Sequence, residues 1–241
     1  MRYKITMSYD GSGFCGWQSQ KGGGSIQDAV ELAVQKLTGE NSRVTASGRT
    51  DAGVHALGQV AHFDITKDLP EKTVVGGLNA YLPRSVRVLS AEKASESFDA
   101  RKSAKRKTYM YVMYRGAELP VMSARGLCIG DNINVDAMRK AALELVGTHD
   151  FKTFMASGGG AKTSVRTVYD ARFVDDRFFV KFYITANGFL YNMVRIIVAQ
   201  LIKIGRGENV NMRALIASCD RNNAKELAPP DGLYLFDVEY E

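Results

Sequence analysis

Cysteine is scarce in this chain: among 241 residues there are three, Cys15, Cys128 and Cys219. They are odd in number, widely scattered and never in a C-x-x-C pair, so neither a disulfide framework nor a zinc ribbon is expected. Histidine is equally sparse. His55, His62 and His149 show no H-x-x-x-H spacing and no H-x-E followed by C-x-x-C, which sets aside a metalloprotease helix and a zinc deaminase. A buried or hydrogen-bonded structural role is the expectation for each. Long apolar runs are also missing. The most apolar stretch, 189–204, is broken by Arg195 and Lys203 and does not read as a membrane span. No signal-peptide pattern precedes the first strand-like alternation. What remains is an ordinary folding composition, 45% hydrophobic and 24% charged, long enough for one large domain or two small ones. A reduced cytoplasmic enzyme fits these absences. The net charge of +6 suits a polyanionic partner without naming one.

Periodicity divides the chain into two similar halves. Residues 2–9 alternate, with Tyr3, Ile5, Met7 and Tyr9 on one face, as a half-buried strand does. Ser25 reads as an N-cap, followed by Ile26, Ala29, Val30, Ala33 and Leu37 at helical spacing and by Gly39 beyond the end. Short strands over 43–47 and 59–65, a helix over 71–81 and a strand over 86–91 complete a β-α-β-β-α-β order. The second half repeats it. A strand spans 107–114, a helix 135–146 closed by Gly147, and a hairpin 165–174 with 178–184. A helix follows from about Leu190, with Val194, Ile197, Val198, Leu201 and Ile202 on one stripe, then a last strand over 233–239. The fold class expected is α+β, two ferredoxin-like units whose mainly antiparallel sheets flank a central basic cleft. The domains are 1–104 and 105–241. Between them runs Arg101-Lys102-Ser103-Ala104-Lys105-Arg106-Lys107, a basic segment suited to phosphate contact, with a solvated linker as the plainer alternative.

Two glycine-rich segments imitate nucleotide sites. Gly11-Ser12-Gly13-Phe14-Cys15-Gly16 matches G-x-G-x-x-G after a strand, but the fingerprint requires its last glycines to open a helix. Here residues 17–24 intervene, and Glu31, the acidic candidate about twenty residues on, falls inside a helix. A nicotinamide cofactor is therefore not expected. Ser157-Gly158-Gly159-Gly160-Ala161-Lys162-Thr163-Ser164 resembles a phosphate loop, yet Ala161 replaces the glycine before the lysine and a strand pattern follows. It reads as a flexible loop suited to phosphate contact.

The richest segment is Gly48-Arg49-Thr50-Asp51-Ala52-Gly53-Val54-His55-Ala56. In extended backbone residues i and i+2 point to one side, so Arg49 and Asp51 can enter one cleft. An isolated R-x-D is usually a surface ion pair of little worth. The whole string, however, resembles the active-site signature of the TruA family of tRNA pseudouridine synthases. Residues 9–18, YDGSGFCGWQ, resemble the opening motif of that family. Further similar segments are Lys107-Thr108-Tyr109-Met110-Tyr111, residues 147–151, residues 186–195 and residues 228–233, so the likeness runs from Tyr9 to Leu233. A departure is Tyr191-Asn192, where some relatives carry histidines.

The resemblance implies that Asp51 is catalytic, that Tyr109 is the active-site tyrosine with Tyr111 structural, and that Arg195 is an active-site arginine paired with Asp51. On the residues alone, Tyr109 reads as a core aromatic and Arg195 as a surface position on its helix. Asp51 either attacks ribose C1′ or removes a proton to give a glycal; both stay open. Arg195 keeps Asp51 ionised. Tyr109 stacks on uracil and helps remove the C5 proton, while Arg49 fills the space left by the extruded base. Arg49, Tyr109, Lys105 and Arg106 are the substrate-binding candidates. Isomerisation involves no redox change or net hydrolysis, so no cofactor or metal is expected. The implied substrate is uridine 38, 39 or 40 of the tRNA anticodon arm, and the implied assembly a homodimer. A noncatalytic RNA-binding protein, or a pseudouridine synthase for another RNA, are the alternatives. The first leaves a carboxylate in a basic cleft unexplained.

Overall fold

The computed structural model describes residues 1–240. Ten strands and five α-helices make a mixed α+β fold with mostly antiparallel pairing among the described residues. The chain separates into two compact units, Met1–Lys105 with the segment from Tyr234 onward, and Arg106–Leu233.

The first unit begins with β1 (Arg2–Tyr9), whose inward residues Tyr3, Ile5, Met7 and Tyr9 are all buried, as its alternation predicts. Helix α1 (Ile26–Thr38) is fixed at both ends by local chemistry. Ser25 and Asp28 form a reciprocal capping box, and Gly39 closes the helix in the left-handed region at φ 81°. Then come β2 (Thr45–Ala46), β3 (His55–Asp64), α2 (Glu71–Tyr81) and β4 (Val86–Ala94). Strand β1 lies between β4 and β3, antiparallel to both, and β2 pairs with β3. The core here gathers Ile26, Val30, Ala33 and Val34 of α1 and Val74 and Leu78 of α2 over Ile5, Met7 and Phe63. Each of these side chains larger than Ala33 contributes about 1.5–3 kcal/mol by burial.

The second unit holds β5 (Arg106–Tyr114), β6 (Leu127–Cys128), α3 (Val135–Leu143), β7 (Gly147–Asp150), β8 (Val165–Asp175), β9 (Phe179–Ala186), α4 (Met193–Gly205) and α5 (Met212–Ser218). Its strands run β5-β9-β8-β7, with β6 parallel to β5. Helix α4 is buried almost all round, from Met193 through Ile202, rather than along one stripe. Its neighbour is α3, and a β-carbon on Gly205 would stand 2.7 Å from the Met138 sulfur.

Several expectations are corrected. The last strand is β10 (Leu233–Glu239). From Tyr234 it joins the first unit and runs parallel to β3, pairing Tyr234 with His55 and Leu235 with Ala56. Helix α3 stops at Leu143, because Gly147 begins strand β7 instead of merely ending the helix. Strand β3 starts at His55, four residues before the expected Gln59, and β6, β7 and α5 were not anticipated.

His62, buried on β3, accepts the Ala100 N–H at Nδ1 (3.1 Å). Burial lowers its pKa, and the nearby Arg2 charge acts the same way. A depressed folded-state pKa makes the stabilisation complete above the ordinary value of 6.5 and lost as pH falls below it. His62→Asn keeps an acceptor near Nδ1 but cannot titrate. Denaturant midpoints between pH 7 and 5 should fall more steeply for the natural chain than for His62→Asn; parallel curves would assign the decline to other groups.

Candidate active site

Asp51 lies in the first unit, half-buried on the loop between β2 and β3. The loop is held from two directions. One is a glycine-lined contact with residues 11–16. Gly11 donates its N–H to His55 Nδ1 (3.1 Å), and a β-carbon on Gly11 would lie 2.0 Å from the Val54 carbonyl oxygen. Gly16 has φ +100° and would place a β-carbon 2.8 Å from the Thr50 oxygen. Trp17 N–H donates to that same Thr50 oxygen at 3.0 Å. Both outer glycines of the G-x-G-x-x-G string thus admit the Asp51 loop, whereas Gly13 has nothing within 4 Å. The carbonyls of Gly16 and Trp17 accept the Ile26 and Gln27 N–H groups at the start of α1. The motif is a buttress between a helix and the Asp51 loop, not a cradle for pyrophosphate.

The other support is a buried polar network. Gln59 on β3, wholly buried, donates from Nε2 to the Gly48 carbonyl (2.9 Å) and to the Tyr9 hydroxyl (3.3 Å). Its Oε1 accepts from Ser47 Oγ at 2.7 Å. The Tyr9 hydroxyl in turn lies 2.8 Å from Thr50 Oγ1. Desolvation pushes the Tyr9 pKa up to about 12, against the smaller opposing effect of its Thr50 and Gln59 hydrogen bonds. Tyr9 is therefore a protonated donor throughout the working pH range. Asp51 itself accepts the Val54 N–H at its carbonyl, 3.1 Å, which closes the turn. Arg49, two residues before it, is exposed and without a hydrogen bond or ion pair among the described residues.

The second unit holds Tyr109, Tyr111 and Arg195. Tyr109 and Tyr111 are both buried on β5. The Tyr109 ring meets Phe189 edge-on, centroids 5.0 Å apart. Arg195 is in the first turn of α4, half-buried rather than on an open surface. Its Nε donates to the Ala228 carbonyl (2.8 Å) and its Nη1 to Asn192 Oδ1 (3.2 Å). Asn192 takes the left-handed conformation, φ 59°, at the start of the helix. Tyr111 donates its hydroxyl to the Pro229 carbonyl at 2.8 Å. Burial raises its pKa, partly offset by the Arg195 charge. A β-carbon on Gly232 would come within 2.7 Å of the Tyr111 ring. Residues 228–232 thus serve as the wall that holds both Arg195 and Tyr111.

Lys105 and Arg106 are exposed. Lys105 N–H donates to the Glu239 carbonyl at 2.8 Å, and the Arg106 guanidinium stands 4.5 Å from the Tyr169 ring centroid. Residues 157–163 form an exposed loop. Each histidine has a local partner: besides His55 and His62, His149 Nε2 lies 3.1 Å from the Val146 carbonyl. Sequence reasoning missed Gln59 and the hydroxyl of Tyr9. The available signal was a glutamine within the apolar run of β3.

Gly11→Ala should lower activity by at least tenfold and reduce thermal stability, since backbone must move to clear Val54. Gly13→Ala should leave both near the natural values. Melting curves and turnover of the two variants side by side check this; equal effects would mean that contact with Val54 does not matter.

Comparison with known proteins places the chain. A family model described as tRNA pseudouridine synthase matches residues 5–101 and 141–241, spans that include Arg49, Asp51 and Arg195 but pass over Lys105, Arg106 and Tyr109. A protein named tRNA pseudouridine synthase A from Thermoanaerobacter sp. (strain X514) is 42% identical over 241 residues, 98% of each chain. One of the same name from Caldicellulosiruptor bescii is 40% identical over 239 residues, again 98% of each. Another from Exiguobacterium sp. is 39% identical, covering 100% of this chain and 98% of that one. Among solved structures, the archaeal box H/ACA sRNP Nop10-Cbf5 complex aligns with 95% of this chain and 59% of that chain. Its TM-score is 0.36 and its identity 11%, too distant to add to the assignment. The chain belongs to the tRNA pseudouridine synthase family.

Proposed function

We propose that the chain converts uridine to pseudouridine at positions 38, 39 and 40 of the tRNA anticodon arm, with Asp51 acting at ribose C1′. The observation that carries this reading is the Asp51 loop. A half-buried carboxylate stands on backbone fixed by glycine contacts and by buried hydrogen bonds, beside an exposed arginine that has no partner among the described residues. Catalysis by a side chain requires such fixed placement, because reaction rate depends steeply on geometry.

The chemistry is an isomerisation. The bond from uracil N1 to C1′ breaks, the base turns, and C5 bonds to C1′. N1 gains a proton and C5 loses one, so atoms balance with no oxidant, water or nucleotide consumed. Asp51 either forms an ester to C1′ that the turned base displaces, or removes the 2′ proton to give a glycal. In both routes it must be ionised. Arg195 is proposed as its counter-charge, supported by a guanidinium already oriented by Ala228 and Asn192. Tyr109 is proposed to stack on uracil and to help remove the C5 proton; its ring meets Phe189 edge-on. Lys105 and Arg106 are assigned to backbone phosphate. The same reading takes each unit as ferredoxin-like, supported by the strand order β4-β1-β3-β2 in the first. It also takes the enzyme as a cytoplasmic homodimer. Among the described residues no helix is long and apolar enough to cross a membrane.

A paired uridine must leave its stack at a cost of a few kcal/mol, and Arg49 is free to enter the vacancy. Asp51→Asn should abolish pseudouridine formation while tRNA affinity stays within about threefold, because the amide is nearly isosteric and adds no charge that repels phosphate. Retained turnover would remove Asp51 from the mechanism. Arg49→Ala should slow single turnover at saturating enzyme strongly on a stem uridine and less on one already in the loop. Equal losses on both would show general support rather than base extrusion.

A further inference from the structure

We propose that Tyr9 and Gln59 are positioning residues for the reaction, setting the place of Asp51 through a directed chain of hydrogen bonds that ends on Thr50. This rests on the reading of Asp51 as the catalytic residue.

Neither side chain can touch RNA. Tyr9 is 4% exposed and Gln59 not at all. They meet because β1 and β3 are antiparallel, with Met7 opposite Gln59 and a register shift between Met7 and Tyr9. Met7 and Tyr9 share the inward face, so the phenol of Tyr9 ends beside the amide of Gln59.

The direction of each bond follows from what each group can do. The Gly48 carbonyl only accepts, so Nε2 of Gln59 must face it. Oε1 then faces Ser47, whose hydroxyl donates. The second Nε2 proton goes to the Tyr9 oxygen, which leaves the Tyr9 proton for Thr50 Oγ1. Every donor and the amide oxygen of Gln59 are in use. Burial keeps the phenol protonated, so it has a proton to place, and Thr50 Oγ1 is the acceptor beside it.

The result is a loop gripped at Ser47, Gly48 and Thr50 and left loose at Arg49. Thr50 is held on both sides, by Tyr9 at its side chain and by Trp17 at its carbonyl. Asp51 is the next residue. A displacement of about 1 Å at a reacting group lowers rates on the order of 100-fold, so a bond that fixes the preceding residue governs catalysis without joining the chemistry.

A fold-stabilising role alone would predict loss of melting temperature with unchanged rate per folded molecule. The test is a double-mutant cycle on the Tyr9–Thr50 bond, read by single-turnover rate at saturating enzyme, tRNA affinity and melting temperature. Tyr9→Phe keeps the ring against Trp17, and Thr50→Val keeps the shape of the side chain. Each should lower the single-turnover rate about tenfold or more while tRNA affinity stays within about twofold. The double variant should be no slower than either single one, because both remove the same bond. Thr50→Ser, which keeps the hydroxyl, should recover most of the rate even if Tyr9→Phe folds poorly. Unchanged rates in folded Tyr9→Phe and Thr50→Val, or fully additive losses, would overturn the positioning role while an inactive Asp51→Asn still upheld Asp51. An active Asp51→Asn would overturn the reading beneath it.

Discussion

A β-carbon at Gly11 would stand 2.0 Å from the carbonyl oxygen of Val54. That close approach of two loops is what the first unit is organised around. It lets residues 11–16 lie flat against the turn that carries Asp51, with Gly16 supplying the left-handed backbone that any side chain would strain. The same segment reaches on to cap α1, whose first N–H groups find carbonyls of Gly16 and Trp17. Helix, glycine loop and Asp51 turn are therefore one mechanical piece. Beneath it, the Gln59 amide replaces the water that buried backbone would otherwise need, at no cost in unpaired groups.

The second unit solves a related problem with other means. A guanidinium close to an apolar helix loses hydration and needs acceptors nearby. Arg195 obtains them from the Ala228 carbonyl and the Asn192 amide, so its guanidinium is held in a fixed orientation. The segment 228–232 does this because Gly232 packs flat against Tyr111, and Tyr111 anchors Pro229 through its hydroxyl.

Local features were the readable ones. Ser25 and Gly39 announce both ends of α1, and the alternation from Arg2 to Tyr9 marks β1, because capping and side-chain period act within a few residues. Features made by distant contact were not readable. Nothing in residues 233–239 tells that β10 pairs with His55 and Ala56, since parallel pairing leaves no mark on either strand. The G-x-G-x-x-G string could be refused as a dinucleotide site, for want of a helix, but its true partner lies some forty residues on. Tyr9 stood on one face of an alternating strand, where its ring is buried; only the fold reveals that its hydroxyl is spent on Thr50. Arg49 and Asp51 stood out through the string around them, while Gln59, which fixes that string, passed as one polar residue in a strand.

The account turns on the modification itself. Transfer RNA from cells lacking this protein, mapped for pseudouridine at every position and compared with the parent and with cells given the natural chain back, tests it most directly. Loss confined to positions 38, 39 and 40, and its return with the natural chain, is the result the account predicts. Pseudouridine unchanged at those three positions would contradict it.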